Sequence, residues 1–554
     1  MLAGFAAVLA ALFPLAQTVR EDITRDYLWW QDRPLLLAMG AVWAVALLAG
    51  LRRHAQVWRL PPWSVAALAA VLFIACWAGH YGVLDGYSVS RDEQMVDFDA
   101  AIYARGALAW PVPQAWRADL PALNTVFTLP VDRPIAWVSS YLPLNAGFHA
   151  LLGAAAGPLW VAVALLALWG AARRLFGAQS EGVAVAVVLL ALSGQVLIAG
   201  MSNFAMPAHL ALNCVWLWLF LADRRRADGA ALGIGFIATG LHQPLFHPLF
   251  AAPWIALLLW ERRWRRAGLF IAAYAAMSLF WLWWPHVTRA LVMGPDSRIV
   301  DVGAGYLSRL LDVLAQDVQN APLMAANLLR LVAWTHPALW VLVALGLFGG
   351  AGAVWHDRRA MALMAGLVAP VVFMGLILPW QGHGFGYRYL HPVLGNAALL
   401  GAYGWLRLGV WRDRLRGPLV LLSLGAALVL VPMQGWLAHR LYGAFAQVSA
   451  RIDASGADYM LISAMDGPLV LDLAYNRPDL SNRPLRLSLE DMPDESRLAK
   501  RICAHGETVA LPLRTLYVPI ARVWHLMPGR MADRRLPLQR ALFESAGCKV
   551  VVLD

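Results

Sequence analysis

Residues 63–84 read WSVAALAAVLFIACWAGHYGVL, and shortly after them the chain continues Ser90-Arg91-Asp92-Glu93. The first stretch carries no Asp, Glu, Lys or Arg and is long enough to cross a bilayer core, for which about 20 apolar residues suffice. The second sets two carboxylates at the edge of that span. Carboxylates at a bilayer edge are costly to desolvate, so they either face water or mark a site.

Composition fixes the class. Of 554 residues, 60% are hydrophobic and 14% charged, with a mean hydropathy of +0.57. A soluble enzyme carries about 25% charged residues, so the chain reads as an integral membrane protein. The net charge of +11 does not point to nucleic acid, because the basic residues cluster in short connections between apolar runs, the pattern of the positive-inside rule. Four cysteines without metal-type spacing exclude a zinc or iron–sulfur framework. Cys76 and Cys214 lie in apolar runs and read as inert core.

Working outward, the apolar runs fall near 2–19, 34–51, 63–84, 148–172, 181–200, 207–222, 229–242, 245–260, 267–286, 337–354, 360–379, 391–410 and 417–435, which predicts about thirteen transmembrane helices. Leu2 to Val19 has the length of a signal peptide but no basic n-region or small-x-small cleavage site, and is read as a first span. Gln243-Pro244 breaks the 229–260 stretch into two helices. Arg52-Arg53, Arg173-Arg174, Arg224-Arg225-Arg226, Arg262 to Arg266, Arg358-Arg359 and Arg407 to Arg416 occupy alternate connections. Those are cytoplasmic, together with the N-terminus. The outer set is then 20–33, 85–147, 201–206, 287–336, 380–390 and everything after about 436.

Two outer loops exceed a simple connection, and long ordered loops are usually functional. In the first, Ser90 with Glu93 three residues on forms a capping box and Gly106 supplies a stop. This predicts a short helix on the outer membrane surface, with Met95, Phe98, Ile102 and Tyr103 as its buried stripe. If Glu93 closes the box, Asp92 is left free to point at a cleft. The dipole of the helix accounts for both acids equally well, since acidic side chains gain about 0.3–1 kcal/mol at an N-terminus. Asp97 and Asp99 are weaker carboxylate candidates. In the second loop, Tyr306–Gln319 and Met324–Trp334 have the spacing of surface helices. The segment 380–392 reads Trp-Gln-Gly-His-Gly-Phe-Gly-Tyr-Arg-Tyr-Leu-His-Pro. Its glycines permit close approach of a ligand and its Arg388 offers a planar fork for phosphate, although an arginine snorkelling in an aromatic belt has the same signature. His209, His242, His247, His286, His336, His383 and His391 recur at outer ends. His242 and His247 are not an i, i+4 ligand pair, which favours hydrogen bonding or phosphate contact over a divalent metal.

These features together resemble the GT-C glycosyltransferases. They are the acid opening the first outer-loop helix, the Gly386-Tyr387-Arg388-Tyr389-Leu390-His391-Pro392 segment before a late span, Arg173-Arg174-Leu175-Phe176-Gly177 closing an early one, and an external C-terminal region. The style is that of bacterial protein O-mannosyltransferase and aminoarabinose transferase relatives, over about residues 60 to 435. The resemblance implies a GT-C-like membrane domain over 52–435, preceded by an extra hairpin over 1–51. It also implies transfer of a sugar from a polyprenyl-phosphate carrier to a lipid, glycan or protein acceptor, at the periplasmic face of a bacterial inner membrane. Asp92, with Glu93 beside it, takes the catalytic acid position. Arg388 takes the phosphate contact, joined by Tyr387, His383, His242 and Arg91. His242 stands where relatives often carry a basic residue before the proline. No cofactor is implied beyond the lipid-linked donor. The excess of Arg over Lys fits a GC-rich genome and a Gram-negative envelope. A transporter, or a non-catalytic partner handling the same lipids, is the alternative; no internal repeat of the transporter kind is present.

From 436 to 554 the character changes. Tyr459–Ser463, Leu469–Leu473, Thr508–Leu513 and Val550–Leu553 are short apolar runs between Pro, Gly, Asp and Asn, the pattern of a small periplasmic α/β domain. Cys503 and Cys548 would meet an oxidising compartment there and are candidates for a disulfide. Acceptor recognition and simple capping of the membrane core are both open roles for this region.

Overall fold

The computed structural model describes residues 2–20, 23–50, 58–123, 128–132, 134–294, 296–300, 320–348, 357–492 and 494–554. Among these, six helical stretches are long and apolar enough to cross a membrane: Ile23–Gly50, Pro62–Gly82, Leu144–Phe176, Trp264–Met293, Arg358–Ile377 and Gly409–Asp453. Two bent pairs, Glu181–Ala191 with Gly194–Met201 (51°) and Asn320–Trp334 with Leu339–Phe348 (113°), raise the number to eight if each is one span. The thirteen expected runs outnumber these. Met206–Phe220 and Phe246–Trp260 are 15 residues each, roughly 22 Å long and short of a hydrocarbon core of about 30 Å. The protein is multi-pass and α-helical.

Small residues let the helices close on one another. A Cβ on Gly404 would lie 1.9 Å from the Leu342 carbonyl oxygen, so Leu394–Arg407 meets Leu339–Phe348 backbone to backbone, as membrane helices do through small residues. Pro62 sits in the first turn of its helix, where its missing N–H costs nothing.

Three expectations need correction. Residues 23–33, expected in a loop, continue the first long span as helix, through a π turn at Leu28–Asp32. Met324–Trp334 is not a surface helix. It belongs to Asn320–Trp334, packs inside the bundle against Leu2–Gln17, and is buried over most of its length. Its Arg330 lies in that interior as well. That side chain is fully buried and paired with Asp32 at 2.9 Å, while Trp334 donates to the other Asp32 oxygen at 2.6 Å. Tyr306–Gln319 lies outside the described residues. The third correction concerns the Arg91–Tyr103 helix, whose stripe of Met95, Phe98 and Ile102 does not face lipid. It packs in one cluster with Trp137, Leu485 and Val509.

That cluster joins the helix to a four-stranded sheet near the C-terminus. In chain order the molecule has β1 (Trp110–Pro111), β2 (Ala136–Trp137), β3 (Tyr459–Ile462), β4 (Leu485–Ser488), β5 (Thr508–Pro512) and β6 (Lys549–Leu553). β1 and β2 pair antiparallel within the first long loop, Trp110 opposite Trp137. The others form a parallel sheet in the order β4-β3-β5-β6, with Tyr459 opposite Leu485 and Val509, and Thr508 opposite Lys549. The run Leu469–Leu473 is a 3-10 turn, not a strand. The strand instead is β4, whose Arg486 is buried and donates to Leu473, Ser449 and Asp453; that charge interrupts the apolar pattern. Cys503 and Cys548 are disulfide-bonded. The last long helix runs unbroken through residues 435–436 to Asp453 and so carries the bundle into the sheet region.

Candidate active site

The segment Arg91–Tyr103 begins as its capping box dictates. Ser90 Oγ accepts from the Glu93 amide at 3.2 Å, and Glu93 Oε2 accepts from the Ser90 amide at 3.2 Å. Glu93 Oε2 also accepts from the Tyr442 hydroxyl at 2.8 Å, and the side chain is buried. Burial pushes its pKa up to about 7, against the pull of these hydrogen bonds. Glu93 is therefore occupied in holding the helix to the last long span.

Asp92, one position earlier, projects the other way. Its Oδ2 lies 2.6 Å from Arg388 Nη1, and its Oδ1 accepts from the Tyr141 hydroxyl at 2.5 Å. Burial raises its pKa, but the Arg388 charge, then His242 and the Tyr141 hydrogen bond, outweigh it and hold the carboxyl below its ordinary value. Tyr141, pushed well above a normal phenol by burial and by Asp92, stays a donor. The His242 ring sits 4.2 Å from the Tyr141 ring. Burial lowers its pKa to about 4, opposed by Asp92 and reinforced by Arg388. Its Nδ1 is buried without a hydrogen-bond partner.

Arg388 is presented by the 380–390 loop. Its backbone N–H donates to Gln381 Oε1 at 2.7 Å, its Nη2 donates to the Gln381 carbonyl, and Gln381 Nε2 donates to Gly386 O at 2.8 Å. Gly384 has φ +148°, and a Cβ there would meet Arg388 Cδ at 2.5 Å. The guanidinium stacks over Phe204 at 4.5 Å and lies 5.9 Å from the Tyr389 ring. Its Nε is buried and unpartnered. It borders a small cavity shared with Gln195, Ser202, Phe204 and His391, in which Gln195 Oε1 and both His391 nitrogens also lack partners.

Of the residues singled out from sequence, Asp92, Arg388 and His242 thus meet around Tyr141. The others go elsewhere. Tyr387 has extended backbone (φ −112°, ψ 100°), so its side chain leaves opposite to that of Arg388, enters the bundle core and donates to Met324 Sδ at 3.5 Å. Arg91 Nε is paired with Asp472 Oδ1 at 2.6 Å, and His383 Nε2 donates to Asp472 Oδ2 at 2.9 Å. His383 Nδ1 lies 2.6 Å from Tyr27 Oη. Asp472 is held below its ordinary pKa because His383 and Arg91 outweigh its burial. Asp97 accepts from Ser88 at 2.6 Å and Asn203 at 2.7 Å, and burial raises it to about 6. Burial raises Asp99 to about 7. Tyr141, Phe204, Gln381 and Asp472 were not read from sequence. Tyr141 had a signal, since it closes the first long outer loop; Asp472 had none. Among the described residues no group of three or more His, Cys, Asp or Glu side chains is placed to hold a metal.

No family model matches this sequence, and no curated protein matches it. Among solved structures, the chain is similar to the crystal structure of ArnT from Cupriavidus metallidurans bound to undecaprenyl phosphate. The two share 15% identity at a TM-score of 0.46, over 75% of this chain and 85% of that one. The apo state of the same protein matches at 14% identity and a TM-score of 0.45, over 75% and 84%.

Proposed function

We propose that this chain is a membrane glycosyltransferase that moves a sugar from a polyprenyl-phosphate carrier to an acceptor hydroxyl at the periplasmic face, with Asp92 as general base. The observation that carries this reading is the Asp92–Arg388 pair beside buried, unpartnered donors. The guanidinium is neutralised by the carboxylate. A donor phosphate takes the guanidinium fork, which binds phosphate bidentately, and draws on the free Arg388 Nε.

That exchange sets the base. Arg388 is the chief cause that holds Asp92 low, and a carboxylate held low is a weak base. Once phosphate occupies Arg388, the cause is removed and Asp92 regains basicity only when donor is bound. The acceptor oxygen then attacks the anomeric carbon, its proton passes to Asp92, and the bond from that carbon to the phosphate oxygen breaks. The polyprenyl phosphate leaves with its growing charge on Arg388. Tyr141 holds the carboxylate in line. Asp92 is the carboxylate ion-paired to Arg388 among the described residues, and Asp97 is engaged by Ser88 and Asn203. Direct displacement with inversion follows from a lone carboxylate.

The test uses purified protein in lipid nanodiscs with a polyprenyl-phosphate sugar donor. Asp92→Asn should keep the wild-type melting curve and lose transfer by on the order of 10²–10⁴-fold. An unchanged rate would remove Asp92 from the mechanism. Wild-type protein that consumes no such donor, with any candidate lipid, glycan or protein acceptor, would favour a transporter or a non-catalytic partner.

A further inference from the structure

At the far end of the bundle from Asp92 lies a groove of about 590 Å³ between the helices Ala156–Phe176 and Met206–Phe220. Its walls are apolar, including Val163, Leu166 and Val215, and its mouth carries Arg173 and Arg174. The first helix has 21 residues, about 31 Å. At its start, Gly157 abuts the carbonyls of Gly200 and Ser202, next to the Phe204 ring that supports Arg388. The arginine mouth of the groove is thus about 24 Å along that helix from the end nearest the candidate active site.

The arginines there are differently provided for than their neighbours. At the same end Arg263 pairs with Asp223, Arg266 with Asp228 at 2.5 Å and Arg416 with Glu181 at 2.8 Å. Arg173, Arg174 and the nearby Arg224 make no ion pair among the described residues. Arg173 lies over the Trp169 ring at 4.6 Å and Arg174 over Trp218 at 5.0 Å. Arg174 Nη1 is buried with no hydrogen-bond partner. A basic last turn on a helix is ordinary, because cations favour the negative end of the dipole. That accounts for where the arginines are, but not for an orphaned buried donor beside an apolar groove.

We infer that this groove binds one anionic glycerophospholipid of the leaflet on the arginine-rich side, which is the cytoplasmic leaflet under the charge rule. The phosphate sits at Arg173 and Arg174, satisfies Arg174 Nη1, and relieves the repulsion from Arg224. An acyl chain lies along Val163, Leu166 and Val215, and the two tryptophans stand at headgroup depth. Basic recesses between membrane helices on this side suit such headgroups. This site is independent of the sugar-transfer reading.

Native mass spectrometry of the full chain in mild detergent, with equal phosphatidylglycerol and phosphatidylcholine of matched acyl chains, tests it. The wild type should retain one phosphatidylglycerol with about 30-fold preference, which is roughly 1 kcal/mol for each of the two arginines. Arg173→Gln/Arg174→Gln should abolish the preference. Leu166→Trp, which fills the groove and leaves the charges, should abolish it as well. Arg358→Gln/Arg359→Gln, an exposed pair at the same end, should retain it. Each variant is first checked for the wild-type melting temperature, and Leu166→Phe replaces Leu166→Trp if the latter melts early. No preference in the wild type, an equal loss in the Arg358/Arg359 variant, or full retention with the groove filled would each overturn the inference.

Discussion

Asp92 and Glu93 share a helical turn and a functional group, yet their surroundings drive them in opposite directions. Glu93 faces the protein interior through Ser90 and Tyr442, and its pKa rises from 4.5 to about 7. A native state that holds its proton more tightly than the unfolded chain is most stable below the unfolded pKa and loses that stability as pH rises through the native one. Wild-type protein should therefore lose on the order of 3 kcal/mol between pH 4.5 and pH 8 from this residue. Glu93→Gln, which can still close a capping box, should flatten that part of the profile and raise the melting temperature at pH 8 but not at pH 4. A profile identical to wild type would show that Glu93 does not titrate in this window. The distinction between the two acids was legible in the sequence because a capping box is written within four residues. The Asp92 partners were legible only in part, since Arg388 is 296 positions away and only its residue type and outer location are local information.

Among the elements, the 380–390 loop is where backbone conformation bears directly on chemistry. At Gly384 a side chain meets both a positive φ and the aliphatic part of Arg388. Gly384→Ala should push the guanidinium off Asp92 and lower kcat by about tenfold or more, as an ångström's misplacement in a positioned site does. Melting should stay within a few degrees of wild type, and transfer at the wild-type rate would show that the loop accommodates the methyl by shifting as a unit. Element existence was readable from apolar runs, because periodicity and length are local. Their classification was less so. An apolar run of 15 residues, such as Met206–Phe220, carries no mark in sequence of whether it crosses a bilayer. β4 was hidden because its buried Arg486 breaks the apolar pattern, and the reason for burying a charge there lies in Ser449 and Asp453 on another element.

At the scale of the whole molecule, Asp472 ties three distant parts together. It receives Arg91 from the Asp92 helix and His383 from the Arg388 loop, while His383 meets Tyr27 of the first long span and Gln94 donates to the Asp472 carbonyl at 2.7 Å. Asp472→Asn should cost roughly 3–5 kcal/mol, the range for removing one member of a buried charge pair, and should lower kcat more than donor affinity because both carriers of the reacting groups lose their anchor. Its depressed pKa gives the same signature in solution. The stabilisation is present above the unfolded carboxylate range and is lost in acid as pH falls through the native value. Equal melting and kinetics in the variant would reduce Asp472 to a bystander. Nothing local marks this residue, whose partners are 89 and 381 positions away. The buried pair of Asp32 with Arg330 reaches further still, because it orders events during synthesis. The two residues are 298 positions apart, so at 5–20 residues per second the carboxylate waits roughly 15–60 s for its counter-charge. An unpaired acid in a bilayer costs about 3 kcal/mol or more, which keeps that end of the first long span at the water interface until Arg330 and Trp334 have emerged. That hairpin is thereby seated only after Arg330 has emerged, behind helices translated later than itself.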